Sequence, residues 1–144
     1  AVPYRRQPGS QDPRAEFIFE GVPEEIIGDF GLVMGGAGGH EVDRADAELG
    51  TPPHALVLAT ATGFSDLYQH VVEEVLSSNS KQGGTIDPMV KGDMVYFEGP
   101  EGGAVFSVGS ISWCGALSHN DYDNNVSRIT GNVLTRFSSE DPIS

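Results

Sequence analysis

Met94-Val95-Tyr96-Phe97-Glu98, Gly99-Pro100-Glu101-Gly102-Gly103 and Ala104-Val105-Phe106-Ser107-Val108-Gly109-Ser110 form the clearest local signal in the sequence. Two runs of β-formers flank five turn residues, which predicts a hairpin. Upstream, His54-Ala55-Leu56-Val57-Leu58-Ala59-Thr60-Ala61 is almost continuously apolar. That pattern predicts a central strand covered on both faces by helices. Downstream, Asp123 or Asn124 can start a helix whose Val126, Ile129, Val133, Leu134 and Phe137 share one apolar face. Strands alternating with breakers, a hairpin and a closing amphipathic helix predict an α/β fold built on a mixed sheet.

Further out the signals are shorter. Phe17-Ile18-Phe19-Glu20-Gly21-Val22 reads as a strand broken by Pro23. Ile26 to Phe30 leads into a second apolar run, Leu32-Val33-Met34. Residues 1–15, rich in Pro, Arg, Gln and Gly, read as an extended arm that lies on another surface or is mobile. Residues 16–137 then form a single α/β domain, and 138–144 a fraying tail. Residues 45–53 read as an acidic connecting loop closed by Gly50, Pro52 and Pro53. Residues 65–76 stay open between helix and strand: Ser65 can cap a helix and Leu67, Val71 and Val75 have helical spacing, but Tyr68 and the pair Val71-Val72 favour a strand. Residues 77–84 have loop composition.

The 144 residues hold 21 acids against 8 Lys plus Arg, a formal charge of −13, and the cations are scattered. Nucleic acid and anionic membranes are therefore excluded as expected partners. Apolar runs are far shorter than the roughly 18 residues of a transmembrane helix, so a soluble chain is expected. The single cysteine, Cys114, allows no internal disulfide and suits a reducing, cytoplasmic setting. No tract of 20 to 50 residues repeats, and no signal peptide follows Arg5-Arg6, which leaves a trimmed, proteolysed or processed chain as expectations for a start at Ala1.

Chemistry concentrates after the second apolar run, in Gly35-Gly36-Ala37-Gly38-Gly39-His40-Glu41-Val42-Asp43-Arg44. Clustered glycines let the backbone take positive φ or approach another group closely, so the polar residues after them can be aimed into a cleft. The structural alternative is a glycine turn with solvated charges. The spacing does not match G-x-G-x-x-G, and no lysine follows as in a P-loop, which excludes two phosphate-binding modes.

The four histidines, at 40, 54, 70 and 119, include no i, i+4 pair, so no metal site is expected within the chain. Cys114 lacks the flanking pattern of an exposed nucleophile and is expected to be buried and inert. Ser118-His119-Asn120-Asp121-Tyr122-Asp123-Asn124-Asn125 precedes a predicted helix. There His119 and Asn120 are candidate binding residues for an anion or carbonyl, and the alternative is that Asp and Asn cap the helix.

The glycine block 35–46, Leu49-Gly50-Thr51-Pro52-Pro53-His54-Ala55-Leu56, residues 102–114 and Asn124-Asn125-Val126-Ser127-Arg128-Ile129-Thr130-Gly131-Asn132-Val133-Leu134 together resemble the C-terminal part of the N,N-dimethylformamidase large (β) subunit family. With Tyr4 to Ser10 the resemblance covers nearly the whole chain. It implies an amidohydrolase that splits small N-substituted amides to carboxylate and amine, and a partial class I glutamine-amidotransferase-like fold. It also implies a mononuclear iron held by tyrosine and glutamate ligands upstream of this chain, with no ligand carried over onto it. Glu41 falls at the family's active-site glutamate, with His40 beside it either tuning its charge or pointing away. The implied partners are the upstream part of the large subunit, a small subunit, further copies and a small amide substrate. The competing expectation is a non-catalytic assembly module with the same fold.

Overall fold

In the computed structural model, which describes residues 1–71 and 81–143, the hairpin forms as its sequence predicts. Strands β4 (Gly92–Glu98) and β5 (Ala104–Ser107) pair antiparallel, with Tyr96 opposite Phe106 and Glu98 opposite Ala104. The turn closes through the Gly99 N–H to the Gly103 carbonyl at 2.7 Å, and Gly102 takes a φ of +81° that a side chain would resist.

Strand β3 (Leu56–Ala61) lies beside β4, and the register shifts between Val57 and Ala59. With the two-residue β2 (Ile26–Ile27) and β1 (Tyr4–Arg6) the sheet has the order β2-β1-β3-β4-β5. β3 is therefore central, as its apolar run predicts. Every pairing is antiparallel, which corrects the mixed sheet expected from the sequence. Continuous apolar character marked burial on both faces and carried no information on strand direction.

The N-terminal residues are the largest departure. The expected arm instead inserts β1 between β2 and β3, with Tyr4 opposite both Ile27 and Ala61. Tyr4 is fully buried, donates its hydroxyl to the Val108 carbonyl at 2.7 Å and meets Trp113 edge-on at 5.8 Å. Two ladders and one aromatic anchor outweigh the polar composition around them. The segment expected as a strand over Phe17–Val22 also differs, because Pro13–Phe19 forms a 3-10 helix. Pro13 at its start and the Asp12 carboxylate accepting the Arg14 N–H at 2.9 Å nucleate this turn upstream of the β-formers.

The closing helix α2 (Asn125–Phe137) is capped by Asn124, whose side chain accepts the Ser127 N–H at 2.9 Å. Val126, Ile129 and Val133 enter the core and Phe137 is half-buried against it, but Leu134 is 62% exposed, outside the predicted stripe. A five-residue helix, α1 (Ser112–Ala116), packs beside α2 through Trp113 Nε1, which donates to Thr130 Oγ1 at 3.0 Å. The Asn132 amide reaches the carbonyls of Ile18 and Glu20 and holds the Pro13–Phe19 3-10 helix to α2. The tail does not simply fray: Arg136 donates to the Asp141 and Pro142 carbonyls, and Ile143 packs on the core. Residues 65–71 form turns with a bridge from Gln69 to Gly83, and the remainder of the ambiguous 65–76 stretch lies outside the described residues.

Candidate active site

The glycine segment is shaped by what lies against it. Val2 pairs with Gly38 through hydrogen bonds of 2.7 and 2.9 Å. A Cβ on Gly38 would fall 2.8 Å from Ala61 Cβ, and one on Gly36 would fall 2.8 Å from the Val2 nitrogen. These two positions use glycine for close approach, to the N-terminal segment at both and to β3 at Gly38. Left-handed backbone flanks them, at Met34 and Gly35 before, with φ of 57° and 73°, and at His40 after, with φ 71°.

From there the chain is fixed by its backbone. The Gly39 N–H donates to Ser110 Oγ at 2.9 Å, the Gly39 carbonyl accepts the Ser112 N–H at 3.3 Å, and the Glu41 carbonyl accepts the Ile111 N–H at 3.4 Å. Val42 bridges to Ser110, and the Asp43 N–H reaches the Gly109 carbonyl at 3.0 Å. The His40 N–H donates to the Tyr68 hydroxyl at 2.8 Å, and the Tyr68 ring rests against Phe64 at 4.4 Å.

Asp93 anchors the far end of this turn. Its carboxylate is buried and accepts from Thr60 Oγ1 at 2.7 Å, the Ala45 N–H at 2.9 Å and Lys91 Nζ at 2.9 Å. Three donors, one of them cationic, offset the cost of removing a carboxylate from water. Arg44 pairs with Asp46 at 2.9 Å, and that hydrogen bond holds the Asp46 carboxyl below the usual carboxylate range.

His40 and Glu41 are both exposed and line a groove of about 490 Å³ with Arg44, Tyr68, His70 and Lys91. His70 Nδ1 lies 3.0 Å from Asp87 Oδ2. The Asp87 carboxyl is held low, first by the Met89 backbone N–H and then by His70. Sequence reasoning singled out neither Tyr68 nor the His70–Asp87 pair, because no spacing rule joins residues on these separate loops.

His119 and Asn120 line a different groove, of about 540 Å³, that shares no residue with the first. The His119 ring stacks on Phe30 at 4.1 Å. Asn120, Asp121 and Tyr122 are all left-handed, with φ of 51°, 53° and 67°, and the Asn124 side chain caps α2 while also donating to the carbonyls of Leu117 and His119. Capping thus accounts for Asn124, one of the two alternatives open for this stretch.

Cys114, expected to be buried, is exposed on α1. The lack of a nucleophile's flanking pattern does not decide burial, and Trp113 and Ala116 take the inward side of this short helix. Among the described residues no group of three or more His, Cys, Asp or Glu side chains is placed to hold a metal ion.

Fold and groove define an α/β unit on an antiparallel sheet that presents two carboxylates, Glu41 and Asp43, from a glycine-built turn. The family model described as "N,N-dimethylformamidase beta subunit-like, C-terminal" matches residues 1–124. The chain belongs to that family. It is 49% identical over 138 residues to the N,N-dimethylformamidase beta subunit of Paracoccus aminophilus and 48% identical over 138 residues to that of an Alcaligenes species. Each match covers 95% of this chain and 18% of the relative, so the chain spans less than a fifth of the length of these curated relatives.

Proposed function

We propose that this chain works as the C-terminal part of the large subunit of an amidohydrolase that cleaves small N-substituted formamides, with Glu41 as its general base. The observation that carries the reading is the built turn at residues 36–45, which leaves the Glu41 carboxylate exposed at a groove while its backbone is held by residues 109–112. A carboxylate in that position takes a proton from water as the water oxygen bonds to the amide carbonyl carbon. The proton then passes to the amide nitrogen, the C–N bond breaks, and carboxylate and amine leave. His40 sets the direction in which Glu41 departs from the glycines. His119 and Asn120, at the second groove, bind an anion or carbonyl group in this reading.

In this reading the iron is held by the preceding part of the large subunit, a small subunit and further copies complete a cytoplasmic assembly, and the glutamine-amidotransferase likeness belongs to the complete subunit. The family relationship and the short share of the relatives' length support this division of labour.

A second reading, a non-catalytic assembly module, is favoured by the exposed apolar residues beside the turn, Leu32 and Met34. Glu41→Gln in the complete enzyme separates the two. The catalytic reading expects intact folding with turnover reduced on the order of 10²-fold or more, the scale of general-base loss. Near-normal turnover in a folded variant would leave the assembly reading.

A further inference from the structure

Leu32, Val33 and Met34 are 83%, 39% and 63% exposed, yet the loop that carries them is not loose. The Leu32 N–H donates to the Gly115 carbonyl at 3.1 Å, and a Cβ on Gly115 would lie 3.4 Å from Val33 Cγ2. The loop is thus seated on the end of α1. At the start of α1, Ile111 is 53% exposed, and Cys114 between them is exposed as well. The Ile111 N–H bonds to the Glu41 carbonyl. An apolar strip therefore runs from Leu32 along α1 to Ile111, whose backbone is bonded to that of Glu41.

Fixed backbone with apolar side chains turned to water is the pattern of an uncovered interface. Two observations choose its occupant. The chain covers 18% of each relative, so most of the relatives' subunit lies outside the matched part. A second copy of this chain would bring another net formal charge of −13, which opposes self-association.

We infer that the Leu32–Met34 loop and the outer side of α1 dock the preceding part of the same large subunit, which presents an apolar surface that closes the wall beside Glu41. This rests on the proposed reading of the chain as part of such a subunit.

Cys114 reports on the strip directly. In the complete large subunit, its alkylation by N-ethylmaleimide is followed by peptide mass, with Glu101→Cys at the hairpin tip as an open-surface reference. Both rates are normalised to those in urea. Docking expects Cys114 to react at least about tenfold more slowly than the reference thiol, since alkylation then needs a local opening. The pair Leu32→Asp and Met34→Asp should raise its rate toward the reference. Equal rates in the folded wild-type subunit would overturn the inference, as would protection that disappears on dilution, which would assign the strip to a second copy. Turnover does not enter the readout, so a normally active Glu41→Gln enzyme would sink the general base and leave this test intact.

Discussion

The Tyr68 hydroxyl accepts the backbone N–H of His40 at 2.8 Å, and His40 is the left-handed residue immediately before Glu41. A positive φ at a residue with a side chain has a conformational cost, and the surrounding contacts must hold it. Tyr68→Phe removes this acceptor while keeping the ring on Phe64. The loss of one such bond is expected to cost about 1 kcal/mol. Amide hydrogen exchange checks it: the His40 N–H should lose protection in the variant while the β3–β4 ladder keeps its own.

Asp93 joins the turn to the sheet. Asp93→Ala would leave Lys91 and the Ala45 N–H without their carboxylate, so a destabilisation on the order of 3 kcal/mol is expected. Denaturant titration measures it, and an unchanged midpoint would refute the anchoring role.

In α2 the burial differences set an order. Ile129 is fully buried, Phe137 half-buried and Leu134 62% exposed. Ile129→Ala should cost about 2–5 kcal/mol, Phe137→Ala less, and Leu134→Ala within about 0.5 kcal/mol of zero. Thermal melts of the three variants test the ranking.

Burial pushes the Tyr4 phenol up to about 12 from 10.0. The unfolded chain ionises first, so the neutral phenol contributes stability that is fully present below about pH 10 and is lost as pH rises toward about 12. Tyr4→Phe should flatten this alkaline decline, and at neutral pH should cost about 1 kcal/mol for the lost bond to Val108. Stability curves between neutral and alkaline pH show both effects.

What could be read from the sequence follows the range of the interactions responsible. The hairpin and α2 rest on neighbours close in the chain, and turn residues, periodicity and the Asn124 cap all speak locally. β1 depends on a partner far away, Ala61 for Tyr4, and the Pro13–Phe19 turn, though started locally by Pro13 and Asp12, is held in place by distant Asn132 at the Ile18 carbonyl. Composition holds no trace of those. The turn at Glu41 was legible because the glycines that admit Val2 are themselves a sequence signal. Tyr68 and His70 were not, since only the folded chain brings their loops to the same groove.

The position of β1 also has a bearing on the order of folding. β2 has β1 as its sheet partner, and β1 joins the rest of the sheet through β3, whose residues follow after a long intervening stretch. Closing that stretch costs chain entropy before the β1–β3 ladder is complete. As the chain emerges during synthesis, its first strand must therefore wait for Leu56–Ala61 before the sheet can zip. The Gly92–Ser107 hairpin has the shortest connection in the sheet, so loop-closure entropy expects it to pair first and the earlier segments to join it afterwards, against the order of the chain.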